Sequence, residues 1–337
     1  MKIRLADVEP SPDVFAAVMA TGVLSIAGGM HQYTVISETL RVLASVGLVA
    51  LIALVALTRA FRRWDRNDPD VTLRLFTFVA ACAVLDSRLA AHPVPMWVLG
   101  AAAMASWAVL AVLTARNMSA HRWAALRDRA CGAWELGSVG TSGLAIVATK
   151  VAGHTPEHWL LAVAVPVCAA ALCIYGLMTW LVLWRTGCEW RDRSGYQPDT
   201  WILMGGLAIA TLAGDNIHGL APAWLAGPVC AVTVVTWLAA TLWIPPLIYF
   251  GLRRIGQGPN VLRFAGVWWA FVFPLGMYSA ATYAMAVELD CRSLITVSLV
   301  FFWDALAAWL IVAVAGLLRV LAANRRRPPT VDNPDRR

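Results

Sequence analysis

Three observations predict an all-α integral membrane protein with ten transmembrane helices. Apolar runs of spanning length recur along the whole chain, the cations between them alternate from side to side, and almost nothing is left over for other structure. Of the 337 residues 60% are hydrophobic and 14% charged, and the mean hydropathy is +0.66, which excludes a water-soluble globular chain. A helix crosses roughly 30 Å of bilayer hydrocarbon with about 20 predominantly apolar residues.

The first run, 14–30, follows the acidic residues Asp7, Glu9 and Asp13 and ends without a small-x-small cleavage site, so it reads as a retained span, not a removed signal peptide. The second, 40–57, stops at the basic break 59–72. The third, 73–91, carries Asp86 and Arg88 near its far end, placed to pair. The fourth, 96–115, ends at the basic break 116–129. The fifth, 130–152, is dense in Gly, Ser and Thr, whereas the sixth, 159–184, is bulky. The seventh, 200–217, opens after the break 185–199 and again carries paired glycines; the eighth, 224–250, is bulky. The ninth, 267–287, contains Pro274, and the tenth, 294–321, contains Asp304. No break is long enough for a soluble domain. Residues 1–323 therefore read as one ten-helix transmembrane pore domain, and 324–337, rich in Arg and Pro, as a basic, disordered tail at the inner membrane surface.

Charge tests the helix count independently, because Lys and Arg near span ends collect on the cytoplasmic side. With ten spans, Arg41, Arg88, Lys150 and Arg292 fall on one side and the rest of the 27 basic residues on the other. A missed or extra helix would scramble that division. Both termini are then cytoplasmic, in a multi-pass protein of the plasma or inner membrane. The same bias explains most of the net charge of +7, so nucleic acid is not implied as a partner. The cysteines, Cys82, Cys131, Cys168, Cys173, Cys188, Cys230 and Cys291, include no Cys-x-x-Cys and scatter mainly through spans, as small buried apolar residues do.

Small residues concentrate in the odd-numbered spans: Thr21, Gly22 and Ser25 in the first, Gly137 through Gly143 with Thr141 and Ser142 in the fifth, Gly205, Gly206 and Gly214 in the seventh, Pro274 and Gly276 in the ninth. Even spans are dominated by Leu, Val and Trp. Gly143-Leu144-Ala145-Ile146 recurs as Gly206-Leu207-Ala208-Ile209 two spans later. The contrast suggests repeated hairpins, each giving one small-residue helix to the centre and one bulky helix to lipid. Small residues also serve close helix packing with no pore at all. The pore reading gains because Gly, Ser, Thr and Pro loosen the helical ladder, and freed backbone groups at membrane depth persist only against protein or a water-filled cavity.

Ionisable residues inside spans are functional candidates by default. Asp304 is a possible coupling residue; Glu135, Asp86 and Asp215 read as interfacial. No Lys or Arg falls at mid-depth, so selectivity for anions would rest on hydroxyls, backbone dipoles and helix ends. His31, His92, His154, His158 and His218 fall on the external side and His121 on the cytoplasmic one. They read as interfacial, and Pro156 interrupts the His154/His158 spacing, so no metal site is expected. An enzyme reading rests on Gly140-Thr141-Ser142-Gly143, which resembles the Gly-x-Ser-Gly of rhomboid intramembrane proteases, with His218 as the available partner. At about 1.5 Å per residue the two lie roughly 9 Å apart in depth, so no catalytic residue is assigned.

Three longer strings are specific: Phe15 through Ile26 (FAAVMATGVLSI), Trp201 through Ala213 (WILMGGLAIATLA) and Trp268 through Tyr278 (WWAFVFPLGMY). They resemble the tellurite-resistance/C4-dicarboxylate transporter family, which includes fungal malate permeases, sulfite efflux proteins and plant slow anion channels. The resemblance implies ten helices as five hairpins around a pseudo-five-fold central pore, odd helices inside, commonly in a homotrimer with a pore in each protomer and without a cofactor. It also implies a phenylalanine gate on the ninth helix. Phe273 is the matching position, with Phe271 as a rival; a ring at a constriction excludes ions until it rotates, and Pro274 removes a backbone donor beside it. The pore-lining candidates are Thr21, Gly22, Ser25, Thr141, Ser142, Gly205, Gly206, Pro274 and Gly276. The function so implied is transport of small anions, C4-dicarboxylates such as malate or succinate first, with sulfite, tellurite-related efflux, or passive chloride or nitrate conduction as alternatives. An intramembrane hydrolase and a non-transporting scaffold are the readings from other classes.

Overall fold

A computed structural model describes residues 10–154, 159–189, 198–255 and 268–325. His158, the first residue of the ninth expected span and the tail from 326 onward lie outside the described residues. Within them the chain is helical and holds no strand. The helices are α1 (Ala16–Met30), α2 (Thr34–Leu57), α3 (Ala60–Arg63), α4 (Pro69–Arg74), α5 (Phe76–Arg88), α6 (Pro93–Ala120), α7 (Trp123–Arg129), α8 (Leu136–His154), α9 (Trp159–Glu189), α10 (Ile202–His218), α11 (Ala223–Ile255), α12 (Trp269–Glu288) and α13 (Arg292–Arg325).

Eight helices among the described residues are long and apolar enough to cross a membrane. The first and third expected spans fall on α1 and α5, which have only 15 and 13 residues. Both are surrounded by protein, so their backbone ladders need not run unbroken to the interface as a lipid-facing helix must. α5 follows α4 across Leu75, whose dihedrals are themselves helical. Single 3-10 turns, Gly132–Glu135 and Pro198–Trp201, likewise lead into α8 and α10.

Burial separates two sets of helices. The spans built on α8, α10 and α12 are 83%, 83% and 78% buried, against 17–28% for α2, α6, α9, α11 and α13. α1 and α5 are also mostly buried. The five buried helices pack in a closed cycle, α1 on α5, α5 on α8, α8 on α10, α10 on α12 and α12 on α1. Each also packs on the bulky helix that follows it. Small residues make the cycle tight: a methyl group at Gly22 would strike Val84, one at Gly140 would strike Phe76, and one at Gly276 would press on Val23. Outward, Val46, Val112, Val235, Ile311 and other large apolar side chains are exposed on the bulky helices, as hydrocarbon requires.

Polar contacts repeat between the layers. Trp107 Nε1 of α6 donates to Thr141 Oγ1 of α8 at 2.9 Å, Trp237 Nε1 of α11 to Thr282 Oγ1 of α12 at 3.2 Å, and Trp309 Nε1 of α13 to Thr21 Oγ1 of α1 at 2.8 Å. In each case an outer helix reaches the inner helix that comes next around the cycle. Reciprocal serine clasps, Ser25 with Ser37 and Ser279 with Ser298, tie the α1–α2 and α12–α13 hairpins, each hydroxyl donating to the other residue's carbonyl at 2.7–2.8 Å. Removing one threonine acceptor strands an indole N–H in an apolar layer. Thr141→Val is therefore expected to lower stability by about 1 kcal/mol, read as a lower unfolding midpoint in detergent. Ser45→Ala, a half-buried hydroxyl bonded only within its own helix, serves as the comparison and should cause less loss.

The arginine-rich end is fixed by a polar knot. Arg74 pairs with Asp70 at 2.9 Å and Asp13 at 3.3 Å, Asp70 also accepts from Trp134 Nε1, and the Ala133 N–H donates to Asp199. Together these contacts join the starts of four buried segments. The opposite end has only short connections, and the cavity described next opens there.

Candidate functional site

A cavity of about 550 Å³ lies inside the helix cycle, toward the arginine-poor end. All five buried helices contribute to its wall: Ile26 and Met30 from α1, Ser87 and Arg88 from α5, Ile146 and Lys150 from α8, Ile209 and Asn216 from α10, and Met277 from α12. It therefore lies on the axis of the cycle. Ser37 and Glu38 of α2 complete the rim.

Two cations stand in this wall. Arg88 is held by three acceptors: Nε donates to Ser25 Oγ at 2.8 Å, and Nη2 to Ser37 Oγ at 2.7 Å and Glu38 Oε1 at 2.8 Å. The serine clasp of the first hairpin thus doubles as the cradle of the guanidinium. Lys150 has no ion pair among the described residues. Arg88, ion-paired to Glu38, and Lys150, which lies in the field of the Asp215 and Asp86 carboxylates without contacting either, stand beside Ser37, Ser87 and Asn216, and their remaining N–H donors can hold an anion of a few atoms by charge-assisted hydrogen bonds. The cavity wall thus holds two cations beside the hydroxyls, backbone dipoles and helix ends from which selectivity was expected. Arg88 and Lys150 are two of the four cations that the sequence puts on the sparse side, and they are the two carried by odd-numbered spans. Asp86 does not pair with Arg88 as expected. Its side chain is fully buried against Gly100 of α6 on another side of α5 and has no hydrogen-bond partner among the described residues.

Below the cations the wall becomes apolar, with Ile146, Ile209 and Met277. One helical turn deeper along α12, about 6 Å at 1.5 Å per residue, lies Phe273. Its side chain is fully buried, and its ring edge faces Gly205 of α10, where an added methyl would sit 3.1 Å from Cε1. The adjacent Pro274 ring touches the same glycine, and its lack of an N–H leaves the Ala270 carbonyl without its helical donor. Phe271 sits nearer the arginine-rich end, half-buried, edge-on to Trp201 at 4.8 Å between ring centroids.

The other candidates divide. Ser25 belongs to the Arg88 cradle. Ser142 is fully buried and its hydroxyl has no partner among the described residues, which leaves a polar group on α8 still able to bond. Thr21 and Thr141 turn their hydroxyls to the outer helices, as described above, because each satisfies an indole donor and its own helix carbonyl. Their expected place on the lumen is corrected accordingly. Gly22, Gly206 and Gly276 are contact points between helices, Gly206 against Tyr175. Asp304 is exposed on the outward face of α13, and the coupling role expected of it finds no support there. Glu135, expected at the interface, is instead fully buried. Thr179 donates to its Oε1 at 2.7 Å while Oε2 has no partner. Its position at a 3-10 turn, where the sequence reads as a helix start, hid its depth. His218 pairs with Glu288 and not with Ser142, so the serine–histidine dyad of the hydrolase reading is not assembled.

Comparison with known proteins agrees with this architecture. Residues 10–317 match the family model SLAC1, voltage-dependent anion channel. Two relatives from Mycobacterium tuberculosis, the uncharacterized membrane proteins MT1776 and Rv1735c, are each 35% identical over 130 residues, which is 37% of this chain and 66% of theirs. The chain thus spans just under two thirds of the length of these curated relatives. With a match over nearly its whole length, the chain belongs to the voltage-dependent anion channel family, the grouping of tellurite-resistance and dicarboxylate transporters that its sequence resembles.

Proposed function

We propose that this protein carries small anions, C4-dicarboxylates such as malate first among them, through a pore along the axis of the helix cycle, with Phe273 as its gate. The observation that carries the reading is the axial cavity lined by all five buried helices, with Arg88 and Lys150 in one wall and the apolar Phe273 section beneath it. Lys150 and Arg88 in one wall, the latter with the donors that its pair with Glu38 leaves unused, favour a ligand with two carboxylates over a single halide, since each carboxylate finds its own charge-assisted donors in a partly dehydrated site. In this reading ten helices cross the membrane, α1 and α5 included, both termini are cytoplasmic, and the cavity faces outward. The family resemblance supports a homotrimer. Asp304, exposed about a third of the way along α13 on an otherwise apolar face, supports a protomer contact there, because a carboxylate facing hydrocarbon costs about 2.5–3.5 kcal/mol.

The family description, a voltage-dependent anion channel, favours a second reading in which inorganic anions such as chloride, nitrate or sulfite pass down their gradients. Uptake of labelled malate into liposomes containing the purified protein, challenged with equal concentrations of unlabelled succinate, sulfite, chloride and nitrate, separates the two. Inhibition by succinate well beyond that by chloride or nitrate is the expected result. Chloride or nitrate flux that proceeds unhindered by excess malate would replace the dicarboxylate reading with the channel one.

A further inference from the structure

At the arginine-poor end, apart from the cavity wall, three side chains of different donor chemistry converge from three helices. His218 comes from the last turn of α10, Cys230 from α11 and Glu288 from the last turn of α12. Their ligand atoms all lie within 4.8 Å of one another. His218 Nδ1 is 3.3 Å from Glu288 Oε1, and Cys230 Sγ is 3.5 Å from the same oxygen. We propose that His218, Cys230 and Glu288 form a binding site for a divalent transition metal of the Zn²⁺ class.

Geometry supports this first. With metal–nitrogen and metal–oxygen bonds of about 2.0–2.1 Å and a metal–sulfur bond of about 2.3 Å, the edges of a tetrahedron measure about 3.3–3.6 Å. Both distances given above fall on such edges, so an ion is accommodated with little movement of the side chains. Donor chemistry supports it second. An imidazole, a thiol and one carboxylate are a poor set for Mg²⁺ or Ca²⁺, which take oxygen, and a good one for Zn²⁺ or Co²⁺. On binding, the Cys230 thiol releases its proton to solvent and the thiolate joins the Glu288 carboxylate to offset the ion's two positive charges. Three protein ligands leave the fourth position to water. None of the three side chains is fully buried, so the ion has an entry path from the aqueous side. No metal motif is visible in the sequence because the ligands are spread over three spans, 70 residues from first to last.

Such an ion would link α10 and α12, neighbours in the helix cycle, to the outer helix between them. The assignment does not depend on the anion reading, and its test does not use transport. Purified full-length protein, with its affinity tag removed and its thiols reduced, is titrated with Co²⁺ and followed by absorption. The expected result is one ion per protomer, with the visible bands of tetrahedral cobalt and a near-ultraviolet thiolate-to-cobalt band, both displaced by an equivalent of Zn²⁺. Cys230→Ser should abolish the near-ultraviolet band, and His218→Ala and Glu288→Gln should each weaken binding at least tenfold. Cys291→Ser, at another external thiol, should change nothing. Gel filtration confirms that each variant is folded. Absence of cobalt bands at saturating Co²⁺, or bands that persist unchanged in Cys230→Ser, would overturn the proposal and leave an ordinary histidine–glutamate ion pair beside a cysteine.

Discussion

Phe273→Ala is expected to raise anion flux through the reconstituted protein at least tenfold. The ring is fully buried between α12 and Gly205 of α10, one turn below the floor of the axial cavity. Truncation opens the section the ring fills, and a tenfold rise corresponds to removing about 1.4 kcal/mol from the barrier to passage. The same truncation creates a cavity among packed helices and is expected to cost about 3 kcal/mol of stability. Flux must therefore be normalised to folded, inserted protein. Phe273→Leu keeps most of the volume and should fall between wild type and alanine in both measurements. Phe271→Ala, whose ring packs on Trp201 nearer the arginine-rich end, should leave flux within about twofold; a larger effect there than at Phe273 would move the gate by two residues.

Lys150→Gln is expected to raise the KM for a dicarboxylate by roughly 10- to 100-fold, or about 1.4–2.8 kcal/mol of lost attraction, with a smaller change for chloride. Lys150 has no ion pair among the described residues, so its removal takes away a charge facing the cavity and leaves no carboxylate stranded at contact distance. Arg88→Gln should act on affinity in the same direction. It should also lower stability, because Ser25, Ser37 and Glu38 all lose their charged donor. Raising ionic strength should weaken wild-type affinity and reduce the difference between wild type and Lys150→Gln, as screening of a charge in a water-accessible cavity requires. Rates measured over a range of malate concentrations in proteoliposomes check both expectations.

Much of the fold is written in the sequence at the level of spans. Each expected apolar run coincides with a helix, and the concentration of small residues in the first, fifth, seventh and ninth runs marks four of the five helices that form the buried cycle, the exception being α5, which has no glycine. Hydropathy marks lipid-facing helices most sharply, which is why α1 and α5, enclosed by protein and short, are the least distinct by length. The site was less legible. A string of residues shows which span a side chain belongs to but not the face it takes, and at 100° per residue one position decides between cavity and neighbour. Thr21 and Thr141 face outer-helix tryptophans, while Arg88, expected to pair with Asp86, turns instead to the serine clasp. Asp304 and Glu135 show the same limit: position along a span, within it for Asp304 and at its start for Glu135, does not distinguish an outward carboxylate from one enclosed by protein.

If anions travel along the axis enclosed by α1, α5, α8, α10 and α12, a charge fixed on that axis must stop them. Met277, in the apolar floor of the cavity one turn above Phe273, is the position that tests it most directly. In a background with Cys230 and Cys291 replaced by serine, Met277→Cys is treated from the cavity side with a sulfonate-bearing thiol reagent, and labelling is quantified by mass. Attaching a bulky negative group there is expected to abolish anion flux, and saturating malate to slow the labelling. Complete labelling at Met277→Cys with flux unchanged would contradict it, because the anions would then be crossing somewhere other than the axis.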